Sequence, residues 1–216
     1  MGISTTSYKT IKHSRLNSLS PKNWLRLFLS RSSLWERLSA LAAGIGLLAT
    51  LFLPVWWIHL ISGQYPEGLN IWIWTHHISG QLEDVNILNH YIGMAPLKTS
   101  AFPEFTWLGT AIEVYAGLAL LTAILGWRAI ALLTWLSYLV FDLVMMVDMY
   151  HWLWLWGHHL DHRAPIRIPG FTPPLLGVEH IANFHIWSVP AWGGLLMILA
   201  TLLGPVALWW QLRQQR

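Results

Sequence analysis

Four apolar runs, each long enough to cross a bilayer, dominate the pattern of hydrophobic and polar positions. They cover residues 38–58, 105–126, 129–150 and 186–210. About 20 helical residues cross roughly 30 Å of hydrocarbon, so each run predicts a transmembrane helix. Only Trp127 and Arg128 separate the second run from the third, which predicts a tight antiparallel hairpin. The pattern as a whole predicts an all-α membrane protein with four transmembrane helices.

The more polar stretches between these runs predict two large outer, periplasmic segments, residues 59–104 and 151–185. In the first segment, LNIWIWTHHI alternates in the way a strand does, and Ser-Gly pairs supply turn signals. This segment therefore has room for a small β-hairpin. The second segment contains the proline-rich stretch APIRIPGFTPPLLG, which is expected to be irregular.

Basic residues set the predicted orientation. Of the 13 lysines and arginines, all but Lys98, Arg163 and Arg167 lie on one side of the four-span arrangement. Positive charge collects on the cytoplasmic side, so we expect a multi-pass protein of the bacterial inner membrane with both termini in the cytoplasm. Residues 1–33 then form a basic cytoplasmic leader, and residues 34–216 form one membrane domain. Topology and anionic lipid account for the positive charge, so nucleic acid is not an expected partner.

The composition agrees with a membrane location and limits the chemistry. Charged residues make up 11% of the chain, against about 25% in a typical soluble domain. The 16 tryptophans suit the water–lipid interface. The absence of cysteine excludes disulfides, thiolate metal sites and covalently attached c-type haem. Histidine and methionine remain as the soft or borderline metal ligands.

Ten of the eleven histidines lie in the two outer segments, which indicates that the outer side carries the function. In LNHYIGM, His90 and Met94 have the spacing of one helical turn, and imidazole and thioether both suit copper. Any further ligands are expected from the second outer segment, above all His151 or His158. The candidate copper ligands are His90, Met94, Asp148, His151, His158 and His185.

Each of these candidates has a simpler interpretation. Asp148 and His151 share a helix face, where they could chelate a metal or form a surface hydrogen bond. The dense stretch GHHLDH, residues 157–162, matches no standard metal spacing and suits a docking surface equally well. His180 and His185 are five residues apart, which on a helix would not place them on one face, so they are expected to serve different purposes.

Two carboxyl groups lie inside the predicted membrane region. Glu113 and Asp142 are both about 12 Å below the outer surface, on adjacent helices that could bring them together. An acid at that depth is costly and indicates a functional role, such as proton transfer. The alternative is a protonated acid that forms a hydrogen bond with a neighbouring helix.

Several longer strings resemble a known kind of protein. They are QYPEGLNIWIW (64–74), LNHYIGM (88–94) with FPEF (102–105), and VDMYHWLWLWGHHLDHRAPIRIPGFTPPLLG (147–177) with IANF (181–184). Together they resemble small four-span membrane proteins from the gene clusters of nitrous-oxide reductase and other copper enzymes, some of them labelled copper chaperones. The resemblance covers most of the chain from about residue 50. It implies a copper-linked accessory protein in which His158 and Asp161 matter more than His159 and His162.

We therefore expect a non-enzymatic membrane accessory protein or subunit. It would handle copper on its periplasmic face or assemble with a membrane copper enzyme. Its expected partners are lipid and a larger copper-containing or respiratory complex. The alternative is a scaffold subunit of a membrane oxidoreductase that lines a quinol or haem site. Histidines at helix ends argue against buried haem, and a quinol site would use Glu113 or Asp142. Catalysis is the least favoured function because no nucleophile elbow, phosphate loop or zinc-protease motif is present.

Overall fold

The computed structural model describes residues 30–181 and 183–214, with side chains described as far as residue 204. The predicted leader, residues 1–33, therefore lies almost wholly outside the described residues. The helices are α1 (Leu34–Thr50), α2 (Leu82–Ile92), α3 (Leu108–Leu125), α4 (Arg128–His158) and α5 (Trp192–Gln214). The strands are β1 (Trp56–Ser62), β2 (Leu69–Ile73), β3 (Ile78–Gly80), β4 (Gly177–Ile181) and β5 (Phe184–Pro190).

Helix α1 packs between α3 and α5. A Cβ on Gly44 would lie 2.8 Å from the Leu120 side chain of α3, so the small residue allows the two helices to approach closely. Arg37 of α1 donates hydrogen bonds of 2.7 and 3.0 Å to carbonyls at the C-terminal end of α3, where a cation is favourable. The beginning of α1 therefore lies beside the α3–α4 turn.

The prediction of an all-α protein with four transmembrane helices is wrong. The described residues contain a five-stranded sheet, and only α3 and α4 are long and apolar enough to cross a membrane. The first predicted span, 38–58, is a helix only as far as Thr50. Its last residues enter β1, because Pro54 interrupts the run and the β-forming sequence WWIHLI follows.

The predicted span 186–210 also begins in a strand and not in a helix. Residues 184–190 form β5, and α5 begins only at Trp192. A short apolar run does not by itself distinguish a strand from a helix. The other two predicted spans, 105–126 and 129–150, correspond to α3 and α4, although α4 continues to His158.

The sheet is antiparallel throughout and has the order β3-β2-β1-β5-β4. Its central strands belong to different ends of the chain, since β1 follows α1 and β5 leads into α5. The register runs from Trp56 opposite Pro190 to Ser62 opposite Phe184. LNIWIWTHHI begins with β2 and reaches the first residue of β3. The two strands pair as a hairpin, which belongs to this larger sheet.

One face of the sheet is covered and the other is open. Leu69, Ile71 and Ile78 are buried against Val85 of α2. Phe102, in the loop before α3, packs on the same cluster and also stacks on Trp156 of α4, with ring centroids 5.0 Å apart. The sheet is thereby fixed to the end of α4 that lies away from Arg128.

Candidate functional site

The two outer segments meet in a cleft of about 690 Å³ between the C-terminal end of α2 and residues 159–165. His90 and Met94 line one wall, and His159 and Asp161 line the other. The sequence had pointed to His151 or His158 as the neighbours of His90, and neither lines this cleft. The cleft therefore pairs LNHYIGM with a different part of the second outer segment.

Backbone hydrogen bonds hold this cleft together. The amide of Asp161 donates to the carbonyl of Gly93 at 2.8 Å, and the amide of Ile166 donates to that of Tyr91 at 2.9 Å. Gly93 ends α2 with φ +82°, and a Cβ there would lie 2.7 Å from the Asp161 carbonyl oxygen. Both the left-handed backbone and the close approach require glycine at this position.

The remaining predicted copper ligands lie elsewhere. Asp148 and His151 are near each other on the outer part of α4, with Glu104 close to Asp148. His158 stacks on Trp154 at 4.6 Å, and its Nδ1 lies 2.9 Å from the Trp154 carbonyl oxygen. Within the described residues, no three histidine, aspartate or glutamate side chains form a group suited to a metal ion. Copper binding by the predicted ligand set stays a prediction.

His185 belongs to the sheet. It lies on β5 directly opposite His180 of β4, and the two ring centroids are 3.9 Å apart with the rings edge to face. The expectation that these two histidines are unrelated rested on a helical spacing, and here a hairpin replaces the helix. Both side chains are exposed.

The open face of the sheet carries a row of aromatic rings. Trp57 stacks on Trp72 at 5.6 Å and on His59 at 5.4 Å. The Asn70 carboxamide oxygen accepts a hydrogen bond from Trp57 Nε1 at 2.9 Å and lies 2.9 Å from His59 Nδ1. Trp187, opposite His59 in the register, is 45% exposed. His59 is thus a packed and hydrogen-bonded residue of this face, and the row is a surface suited to contact with a partner or with lipid headgroups.

A second group of rings lies at the tip of the β2–β3 hairpin. Trp74 stacks on His77 at 5.2 Å, and the ring of His76 lies 4.5 Å from that of His77. Burial lowers the pKa of His77, and the neighbouring His76 lowers it further. His77 therefore holds a proton less readily than an ordinary histidine, so it stays neutral over a wider pH range.

The two acids that were predicted to lie within the membrane occupy different environments. Asp142 of α4 accepts a hydrogen bond from the Thr201 hydroxyl of α5 and lies one turn from the buried Tyr138. Glu113 is exposed on α3. Asp142 thus matches the simpler interpretation, an acid that forms a hydrogen bond with a neighbouring helix.

A buried ion pair that was not predicted from the sequence lies at the opposite end of the helices. Arg128, the first residue of α4, binds Glu36 of α1 through Nε and Nη2, both at 3.2 Å. Arg128 is 5% exposed and Glu36 is 8% exposed. Glu36 also closes a capping box with Ser33 at the start of α1. Ser33 and Glu36 do have the S-x-x-E spacing of that motif, which was the available signal.

A cavity of about 90 Å³ separates this ion pair from Tyr138, with walls formed mainly by alanine and leucine. Pockets for small organic ligands commonly measure about 300–1,000 Å³. The cavity in this conformation is therefore too small for a quinol ring. The alternative quinol site near Asp142 gains no support from it.

Comparison with known proteins shows similarity to a distant relative. The chain is 29% identical over 153 residues to subunit 1 of the cytochrome bo(3) ubiquinol oxidase of Buchnera aphidicola subsp. Baizongia pistaciae; the match covers 61% of this chain. It covers 22% of the relative, so the chain spans about a fifth of the length of that protein. No family model and no solved structure matches the chain.

The apolar helices and the similarity to an oxidase subunit both indicate association with a membrane. Among the described residues, two helices have the length and apolar character of membrane spans, and the relative is a subunit of a ubiquinol oxidase. The chain is a membrane-associated protein with a distant relation to an oxidase subunit. The resemblance to proteins of copper-enzyme gene clusters stays a prediction.

Proposed function

We propose that this chain is a non-catalytic subunit or accessory protein of a respiratory complex in the bacterial inner membrane. Helices α3 and α4 anchor it, and the sheet with its aromatic face lies on the periplasmic side. The predicted copper ligands form a separate hypothesis, because assembly into a complex does not require them.

The surface of α4 carries this proposal. The helix has 31 residues, about 46 Å at 1.5 Å per residue, which exceeds the roughly 30 Å of a bilayer core. Only 6% of its most apolar window is buried within the described structure. Leu136, Val140, Leu143 and Val147 are all more than half exposed. This apolar surface must therefore face lipid or helices of another subunit, and similarity to an oxidase subunit favours the second for part of it.

The proposed orientation follows from the positions of the charged groups. Arg37 and Arg128 lie at the α3–α4 turn, whereas the sheet and the cleft lie at the other end of α4. The positive-inside rule then assigns the α3–α4 turn to the cytoplasm. The beginning of α1 lies beside this turn, so the basic leader would be cytoplasmic too.

A cysteine-labelling experiment tests the orientation, and the cysteine-free chain provides an ideal background. Gly63→Cys lies in an open turn after β1, and Trp127→Cys lies at the α3–α4 turn, where the native tryptophan is 56% exposed. A membrane-impermeant maleimide should label Gly63→Cys in intact spheroplasts and Trp127→Cys only after lysis. The reverse pattern would contradict the proposed topology.

Crosslinking in native membranes tests membership of a complex. A photo-crosslinking residue at Leu143, which is 58% exposed, should form adducts with subunits of a respiratory oxidase, and these should co-purify with the tagged chain. The matched control is Leu47, which is 2% exposed and should form no intermolecular adduct. Adducts with lipid alone, together with no co-purifying oxidase, would refute the proposal.

A further inference from the structure

His180 and His185 form the one cross-strand imidazole pair among the described strands. They lie directly opposite each other on the antiparallel strands β4 and β5. Side chains directly opposite on antiparallel strands point to the same side of the sheet, with Cβ atoms about 5 Å apart. The backbone of the hairpin thus holds the two rings together before any ligand binds.

The separation between the two ring centroids is close to that of two imidazoles bound to one metal ion. A metal–nitrogen bond of about 2.0 Å places each imidazole centroid about 3.2 Å from the ion. Two rings bound at right angles then have centroids about 4.5 Å apart, and two rings at a tetrahedral angle have them about 5.2 Å apart. The observed separation is 3.9 Å. If the two rings move apart by about 1 Å, their centroids reach the separation of a chelate. Small changes in side-chain torsion angles allow this movement.

The surroundings leave both rings free to bind. Neither ring makes a hydrogen bond to another of the described residues, in contrast to His59 with Asn70 and His158 with its backbone carbonyl. Both side chains are exposed. Strand β4 is at the edge of the sheet, so water can supply the remaining ligands.

We propose that the His180–His185 pair is a chelating site for a late first-row divalent cation, with Cu(II) bound most tightly. Neutral imidazole suits Cu, Ni and Zn, and affinity for a given nitrogen site rises to Cu(II) and falls again at Zn(II). The two imidazoles supply two ligands, and water completes the coordination sphere. This site does not depend on the proposed membership of a respiratory complex.

The test is a Cu(II) titration of the full-length protein in detergent after treatment with a chelator. Binding is followed by tryptophan fluorescence and by electron paramagnetic resonance, where nitrogen hyperfine structure counts the coordinated imidazoles. Two-point attachment can exceed single-point affinity by about a hundredfold. His180→Ala and His185→Ala should each lower the affinity about a hundredfold, to that of a single imidazole. The double variant should lose the remaining binding at this position.

Two controls keep the result specific. His158→Ala removes an exposed histidine that belongs to the sequence-predicted ligand set, and it should leave the affinity unchanged. His180→Thr introduces a β-branched residue that suits a strand, so it separates loss of a ligand from loss of the hairpin. Bound metal should also raise Tm in the wild-type protein but not in His180→Thr.

Several results would overturn the site. Unchanged Cu(II) affinity in both single alanine variants would do so, as would an equal loss in His158→Ala. Single variants that keep the wild-type affinity and bind half as much Cu(II) would show two independent sites instead of one chelate. Hyperfine structure from a single nitrogen in the wild-type protein would also contradict it.

Discussion

Removal of the Glu36 carboxylate is expected to destabilise the helical part of the protein more than any other single change of an acid. Glu36 and Arg128 are both buried, and their side chains form two hydrogen bonds of 3.2 Å. Glu36→Ala would leave the guanidinium of Arg128 in a largely apolar setting without its anion. Its further contacts with Ser30 and with the Arg31 carbonyl oxygen do not neutralise the charge.

The magnitude follows from the burial of both partners. Breaking a buried ion pair by removing one member costs about 3–5 kcal/mol, because the other charge stays buried and unpaired. Glu36→Ala also removes the bond from the Ser33 amide to the carboxylate, at 2.7 Å, which is half of the capping box. We therefore expect the free energy of unfolding to fall by at least about 3 kcal/mol. Replacing both partners, in Glu36→Ala with Arg128→Leu, should cost clearly less than the sum of the two single changes, because no charge is then left buried.

Equilibrium unfolding in mixed detergent micelles measures these differences, with tryptophan fluorescence as the signal. Glu67→Ala is the matched control, since Glu67 is exposed and its loss should change stability by no more than about 0.5 kcal/mol. A double-mutant cycle then isolates the coupling between Glu36 and Arg128. The reasoning is refuted if Glu36→Ala resembles the control, or if the double variant loses the full sum of the single losses.

Two substitutions and one change of pH have further expected outcomes. Gly44→Leu should separate α1 from α3 and lower Tm, because even a Cβ would approach Leu120 to 2.8 Å; an unchanged Tm would contradict this close packing. Gly93→Ala should lower the free energy of unfolding by about 1–3 kcal/mol, because φ is +82° and the Asp161 carbonyl oxygen would lie 2.7 Å from the new Cβ. Limited proteolysis should show faster cleavage at residues 159–165, and an unchanged cleavage rate would argue against the loop contact. Because burial and then His76 lower the pKa of His77, His77 should not affect stability above its ordinary pKa of about 6.5 and should reduce stability as the pH falls from there to the lowered pKa. An NMR titration midpoint for His77 at or above the ordinary value would contradict this.

The sequence predicted α3 and α4 because their apolar runs are long and the break between them is short. Gly126 ends α3 with φ +65°, and Trp127 with Arg128 leads directly into α4. The end of α4 was less predictable. Residues 151–158 continue the helix with a tryptophan-rich stretch, and no proline interrupts the helix before residue 158. The predicted span ends at residue 150, whereas the helix continues to His158.

The sheet could not be predicted from local pattern. Its central pairing joins β1 to β5, so that Trp56 lies opposite Pro190, more than 130 positions away. Each of these strands adjoins an apolar helix, and the strand and the helix together have the length of a transmembrane span. The prolines at positions 54 and 190 were the available signals of a break. Without knowledge of the partner strand, a longer helix was the simpler interpretation.

The histidines of the two predicted outer segments occupy several different environments in the fold. His90 and His159 line the cleft, His59 is packed on the open sheet face, and His180 with His185 forms a pair at the sheet edge. On a helix, positions 180 and 185 would be about 140° apart around the axis, whereas the antiparallel pairing of β4 with β5 places them face to face. Proximity between histidines is thus set by strand register and loop contacts, neither of which the sequence spacing reveals. One side of the molecule therefore carries several distinct imidazole environments, and a ligand for one of them can be tested without disturbing the others.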